Sequence, residues 1–158
     1  MRLGLKYPNL FSVVAATGGE WNYSLDVWPS DLEAVQKLKE IPTHISDLDP
    51  SGLTGWYVQM AAAVAPDPDN PPFYGEMPFR IVGGRGEFVP EVIAKIVETD
   101  AAHEARRYLQ QPFRLRGIRL QHGLYDEIMP TPMIRAFVKV LTDLGIEHEY
   151  VEVPTFHC

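Results

Sequence analysis

Cysteine is almost missing from this chain of 158 residues, with Cys158 standing alone. One thiol can form no internal disulfide and no multi-cysteine zinc site, so no redox framework holds the fold. Basic charge is scarce as well. The formal net charge is −7, from 14 Lys and Arg against 21 Asp and Glu. With no basic stripe to neutralise phosphates, a nucleic acid or an acidic membrane surface is argued against as a general partner, and Arg114-Leu115-Arg116 is too short to change that. No apolar run approaches the roughly eighteen residues of a membrane span, and the start lacks the basic-then-apolar order of a secretion signal. A serine in a Gly-x-Ser-x-Gly turn is also missing. Ser12, Ser24, Ser30, Ser46 and Ser51 all lack those surroundings. Ser51, in Asp49-Pro50-Ser51-Gly52, has a glycine after it but none two residues before, which suits a helix cap better.

What is present reads as one α/β domain. The 46% hydrophobic content is enough for a sizeable core. Three segments are strand-like. Ser12-Val13-Val14-Ala15-Ala16-Thr17, ending in Gly18-Gly19, is expected to be buried on both faces of a parallel sheet. Ile118-Arg119-Leu120-Gln121-His122 ends at Gly123. His148-Glu149-Tyr150-Val151-Glu152-Val153, halted by Pro154, roughly alternates and is expected nearer the sheet edge. Between the last two lies a helix, with Pro132 near its first turn and Gly145 after its last. Its apolar positions Met133, Phe137, Val140, Leu141 and Leu144 recur at spacings of three and four, so one face packs on the sheet. Strand, helix, strand makes a βαβ crossover.

Residues 20–117 have another character and are expected to form a cap-like insertion of helices joined by Pro-rich and Gly-rich turns. Ser30 with Glu33 makes a capping-box pattern for a helix to about Glu40. Ser51 is placed to cap a second, through Trp56, Tyr57, Met60 and Val64. Pro66-Asp67-Pro68-Asp69-Asn70-Pro71-Pro72 predicts an extended, solvated segment. Pro90 opens the longest expected helix, through Ile93, Ile96, Val97, Ala101, Ala105 and Tyr108, until Pro112.

Four segments in order carry a resemblance. They are Arg2-Leu3-Gly4-Leu5-Lys6-Tyr7-Pro8-Asn9-Leu10-Phe11-Ser12; Ala63-Val64-Ala65-Pro66-Asp67-Pro68-Asp69-Asn70-Pro71-Pro72-Phe73-Tyr74; His122-Gly123-Leu124-Tyr125-Asp126-Glu127-Ile128-Met129-Pro130; and Pro154-Thr155-Phe156-His157. Together the chain resembles the carboxyl-terminal portion of an α/β-hydrolase-fold serine esterase, in the broad group that includes acetyl, feruloyl and enterochelin esterases. The resemblance implies a three-layer α/β fold with parallel strands and a helical insertion. It implies hydrolysis of a small-molecule carboxylic ester through an acyl-enzyme, with no cofactor. His157 would be the base that takes the proton of a serine hydroxyl, and Asp126 the acid that fixes its tautomer and stabilises the imidazolium. Asp126 before His157 obeys the order Ser, acid, His of this fold. Met1 to Pro8 reads as the end of a helix, and the spacing usual in the family that it resembles implies a serine roughly two helical turns before the start. Both oxyanion-hole donors would also lie outside the chain.

Plainer roles stand beside these. Asp126 suits a turn residue satisfying local amides, and His157 an ordinary terminal histidine. His122, beside Gly123 at the strand end, is placed to line the pocket, but a satisfied structural histidine is the role expected of it, and His44, His103 and His148 are expected on solvated surface. His157 with Cys158 is too few ligands for a metal. Asp67, Asp69 and Asn70 lack the later Gly and Glu of a calcium loop, so no metal is expected. Trp21, Tyr23, Trp28, Trp56, Tyr57, Phe73, Tyr74 and Phe79 could cover an active-site mouth, although Trp56, Tyr57, Met60 and Val64 also fit a core stripe. A second reading is a noncatalytic module that self-associates through the open edge of its first strand. On either reading the partner is a complementing upstream half or another copy. Nothing in the sequence assigns a compartment.

Overall fold

A computed structural model describes residues 1–18, 29–47, 53–127, 129 and 131–157. In chain order the elements are α1 (Arg2–Lys6), β1 (Val13–Thr17), α2 (Pro29–Gln36), a 3-10 turn (Ile45–Asp47), α3 (Leu53–Val64), β2 (Phe79–Val82), β3 (Arg85–Phe88), α4 (Pro90–Val97), α5 (Ala101–Tyr108), β4 (Gly117–Gly123), α6 (Thr131–Asp143) and β5 (Glu149–Val153). They fall into two compact units, one of Met1–Tyr23 with Thr99–Cys158 and one of Ser24–Glu98. The protein is of mixed α/β class. None of the described helices is long and apolar enough to cross a membrane.

The first unit is built on a parallel sheet of order β1-β4-β5. Alternation along β4 decides which face is covered. Ile118, Leu120 and His122 are buried, whereas Arg119 is exposed and Gln121 half-buried. The buried face packs with Leu5 of α1, with Ala101, Ala102, Ala105 and Tyr108 of α5, and with Ile134, Phe137 and Leu141 of α6, in one apolar cluster. The opposite face carries Val13, Ala15, Thr17, Arg119 and Glu149, all exposed. Among the described residues of this unit the helices therefore cover one face only, and the expected third layer is not there. This corrects the expectation for the first strand: β1 lies at the sheet edge, and Val13 is 60% exposed instead of buried on both sides. Its small β-branched composition fits either environment, so composition alone could not separate them. The α6 crossover between β4 and β5 is as expected, with Gly145 at φ 66° past its end.

The second unit departs further from its expectation. Residues 79–88 form an antiparallel hairpin, β2 with β3, where only helices and turns were expected. Gly83 and Gly84 have φ of 57° and 76°. Two consecutive positive-φ residues are what a two-residue hairpin turn with the right twist requires, so the Gly-Gly pair was a strand signal. Tyr57 of α3 meets Phe88 of β3 edge to face at 5.0 Å, and Ala61, Ala65 and Val92 close a small core. The proline segment is not extended. Asp67 N–H donates to the Tyr74 carbonyl, Tyr74 N–H to Asn70, and the Asn70 amide to Gly75, folding it back on itself.

The single helix expected from Pro90 is two helices. Asp100 takes an extended conformation and its carboxylate accepts from the His103 N–H, so it caps α5 instead of continuing α4. The helix over Ser30 begins at Pro29 and ends at Gln36, which places Ser30 inside α2 and not at its cap. Ser51 lies outside the described residues.

Phe137 has no exposed surface and joins α6 to the sheet. Phe137→Ala is expected to lower the unfolding free energy of this unit by about 3–5 kcal/mol in urea titration. A loss below about 1 kcal/mol would contradict the core described here.

Candidate active site

The carboxyl ends of β4 and β5 lie side by side, with His122 opposite Glu152 and Gly123 opposite Val153. Past them the two segments stay paired. Leu124 N–H donates to the Val153 carbonyl at 2.8 Å and Tyr125 N–H to the Thr155 carbonyl at 3.0 Å. Meanwhile Asp126 N–H donates to the Gly123 carbonyl at 3.2 Å, closing a four-residue turn. Gly123 makes this apposition possible. A Cβ there would stand 2.0 Å from the Phe156 carbonyl oxygen and 2.6 Å from that of Thr155. Only a residue without a side chain lets the tail cross so close.

The crossing brings His157 onto Asp126. His157 Nδ1 lies 2.9 Å from Asp126 Oδ2. With an ionised carboxylate as acceptor the imidazole must carry its proton on Nδ1, which leaves Nε2 as the nitrogen that can accept one. The Asp126 side chain is fully buried, whereas that of His157 is 37% exposed. Oδ1 of the same carboxylate accepts from the Met129 N–H at 2.7 Å. A backbone donor on one oxygen and an imidazole on the other fix the plane of the carboxylate. Such an arrangement can hold an imidazole in one tautomer and stabilise its protonated form.

The predicted candidates divide clearly. Asp126 and His157 come together, 31 residues apart in sequence. Ser12 precedes β1 and so lies at the amino-terminal end of the sheet, whereas Asp126 and His157 follow the carboxyl ends of parallel strands. Ser46 sits exposed in the 3-10 turn of the second unit. Ser24 and Ser51 lie outside the described residues, as do Trp21, Tyr23, Trp28 and Cys158. Trp56 and Tyr57 stack edge to face at 4.7 Å, and Tyr57 is buried within its own unit. Tyr74 is exposed and Phe79 buried. Among the described residues no group of three or more His, Cys, Asp or Glu is placed to hold a metal.

Two features escaped the sequence. The first concerns His122, which was expected to be satisfied: it is fully buried, and neither ring nitrogen has a hydrogen-bond partner. The second is a charged network beside it. Glu152 accepts from Arg135 Nε and Nη2 at 2.7 and 2.8 Å, and from the Tyr150 hydroxyl at 2.7 Å. The Arg135 fork, aided by Tyr150, holds the Glu152 carboxyl down to about 2. Burial, reinforced by the hydrogen bond to Glu152, pushes the Tyr150 phenol up. The i, i+2 spacing of Tyr150 and Glu152 on one strand was visible in the sequence, but Arg135 reaches them only through the fold.

No protein-family model matches the chain, and no curated protein matches it.

Two outcomes are expected. Gly123→Ala should displace the tail and abolish the downfield proton resonance of His157 Nδ1–H; its survival unchanged would contradict the close crossing. Because the folded Glu152 titrates below its unfolded value, its pairing stabilises the protein above about pH 4.5 and the benefit fades as pH falls toward 2. Arg135 is more than half exposed, so Arg135→Met should cost a small amount of stability at pH 7 and much less near pH 2, by denaturant titration at both pH values.

Proposed function

We propose that this chain carries the acid and base of a serine carboxylic-ester hydrolase with an α/β-hydrolase-like sheet, the serine being supplied from outside residues 1–158. The observation that carries the reading is the 2.9 Å contact of His157 Nδ1 with a buried, doubly anchored Asp126. In the reaction, His157 Nε2 takes the serine proton as the oxygen attacks the ester carbonyl, and Asp126 stabilises the imidazolium so formed. The proton then passes to the departing alcohol. Water, deprotonated by the same imidazole, releases the acid from the acyl-enzyme. In this reading one oxyanion donor is the backbone amide after the serine and the other lies in an earlier loop, both outside residues 1–158.

Among the described residues no strand pairs with the outer edge of β1, and this supports the reading. A parallel strand added there would end beside Thr17, at the same end of the sheet as Asp126 and His157. A nucleophile on the turn after that strand would thus enter from the correct side.

Exposed apolar residues favour a second reading, a noncatalytic module that associates with its own copies. Leu3, Leu10 and Val13 are 63%, 72% and 60% exposed on α1, β1 and the segment between them. An apolar strand edge invites pairing with another chain.

Labelling with a fluorophosphonate separates the two. The 158 residues alone should stay unlabelled. Joined to an upstream polypeptide bearing a Gly-x-Ser-x-Gly turn, they should react at that serine, and His157→Ala should reduce the rate by about 10³-fold or more. An extended protein that stays inert, or one whose labelling ignores His157, would sink the hydrolase reading. A dimer by light scattering, with no labelling of the extended protein, would favour the second.

A further inference from the structure

Position 122 is an anomaly in an otherwise apolar row. Along β4 it follows Ile118 and Leu120 on the face covered by helices, and the side chain is wholly buried. An imidazole there with no hydrogen-bond partner on either nitrogen is costly relative to a satisfied one, so its retention calls for a reason. Two carboxylates face it. Glu152 is its register partner on β5, and Asp126 Oδ2 lies 3.8 Å from its Nδ1. The Glu152 charge is compensated by the two-pronged contact of Arg135 and by the Tyr150 hydroxyl. The ion-pair-range contact of His122 is with Asp126.

We infer that His122 is a positioning residue of this site, a second imidazole that shares Asp126 Oδ2 with His157 and sets how tightly the carboxylate holds it. Asp126 Oδ2 is the nearest carboxylate oxygen to both rings, at 2.9 Å from His157 Nδ1 and 3.8 Å from His122 Nδ1. The tautomer of His122 follows from electrostatics. With the proton on Nε2, the Nδ1 lone pair would face a carboxylate through a medium of low dielectric, which is repulsive; with the proton on Nδ1 the N–H dipole points at the charge. The separation exceeds a hydrogen bond but allows this attraction. Two donors that draw on one oxygen weaken each other, so His122 tempers the bond to His157. The catalytic consequence rests on the hydrolase reading above. The shared oxygen does not.

Nuclear magnetic resonance of the ring nitrogens in the full chain tests this without any need for activity. The unmodified protein should show a proton on His122 Nδ1. His122→Leu, which suits the apolar row, should shift the His157 Nδ1–H proton downfield, as the remaining bond strengthens. His122→Asn, whose amide N–H stands near the place of Nδ1, should keep the wild-type position. A His122 proton on Nε2 would overturn the inference, and that measurement needs no variant. So would a His157 resonance that is the same in the Leu variant as in wild type. Failure of the hydrolase reading would appear instead as absent fluorophosphonate labelling, with these resonances unchanged.

Discussion

A carboxylate withdrawn from water and an imidazole left half in it meet at the end of this sheet, and the surrounding backbone is arranged to make them meet. Burying Asp126 as an anion is costly unless its oxygens find donors. Met129 N–H serves one oxygen and His157 Nδ1 the other. The second donor arrives only because the tail runs back over β4, held by the amides of Leu124 and Tyr125 and admitted by the bare Cα of Gly123. Loss of the crossing would leave the charge at Asp126 short of a partner as well as the imidazole without an orienting group.

The sheet is what gives the pair its direction. Parallel strands point their carboxyl ends the same way, and residues that follow those ends gather on one side, where ligands of open α/β sheets are commonly bound. Asp126 follows the central strand and His157 an edge strand. Among the described residues the outer edge of β1 has no partner strand, and a parallel strand laid there would present its own carboxyl end to the same side. Along the covered face, the polar cluster of His122, Glu152, Tyr150 and Arg135 takes over where the apolar packing of Ile118 and Leu120 stops. The Glu152 charge there is balanced by the Arg135 fork and the Tyr150 hydroxyl.

Much of the first unit was legible in the sequence because its signals are local and mutually consistent. The run Ile118 to His122, the α6 stripe of Met133, Phe137 and Leu141, and the stop at Pro154 each mark one element without help from the others. The pairing of Asp126 with His157 was legible through the order of motifs, not through spacing. What the sequence hid was environmental. Val13 and Ala15 read equally well as buried or edge residues. His122 read as satisfied because no one-dimensional pattern reports where partners stand. In the second unit, Gly83-Gly84 carried a hairpin signal that the helical character of its neighbours obscured; in the first, Asp100 starts a new helix within an apolar stripe that read as one.

The central claim is that the Asp126–His157 pair can serve a serine hydroxyl. The direct measurement is pre-steady-state hydrolysis of a p-nitrophenyl ester by this chain joined to an upstream polypeptide with a Gly-x-Ser-x-Gly turn. A burst of p-nitrophenol stoichiometric with protein, abolished by His157→Ala, is the result expected of acyl-enzyme chemistry. A folded protein that gives no burst, or a burst that survives the loss of His157, would contradict it.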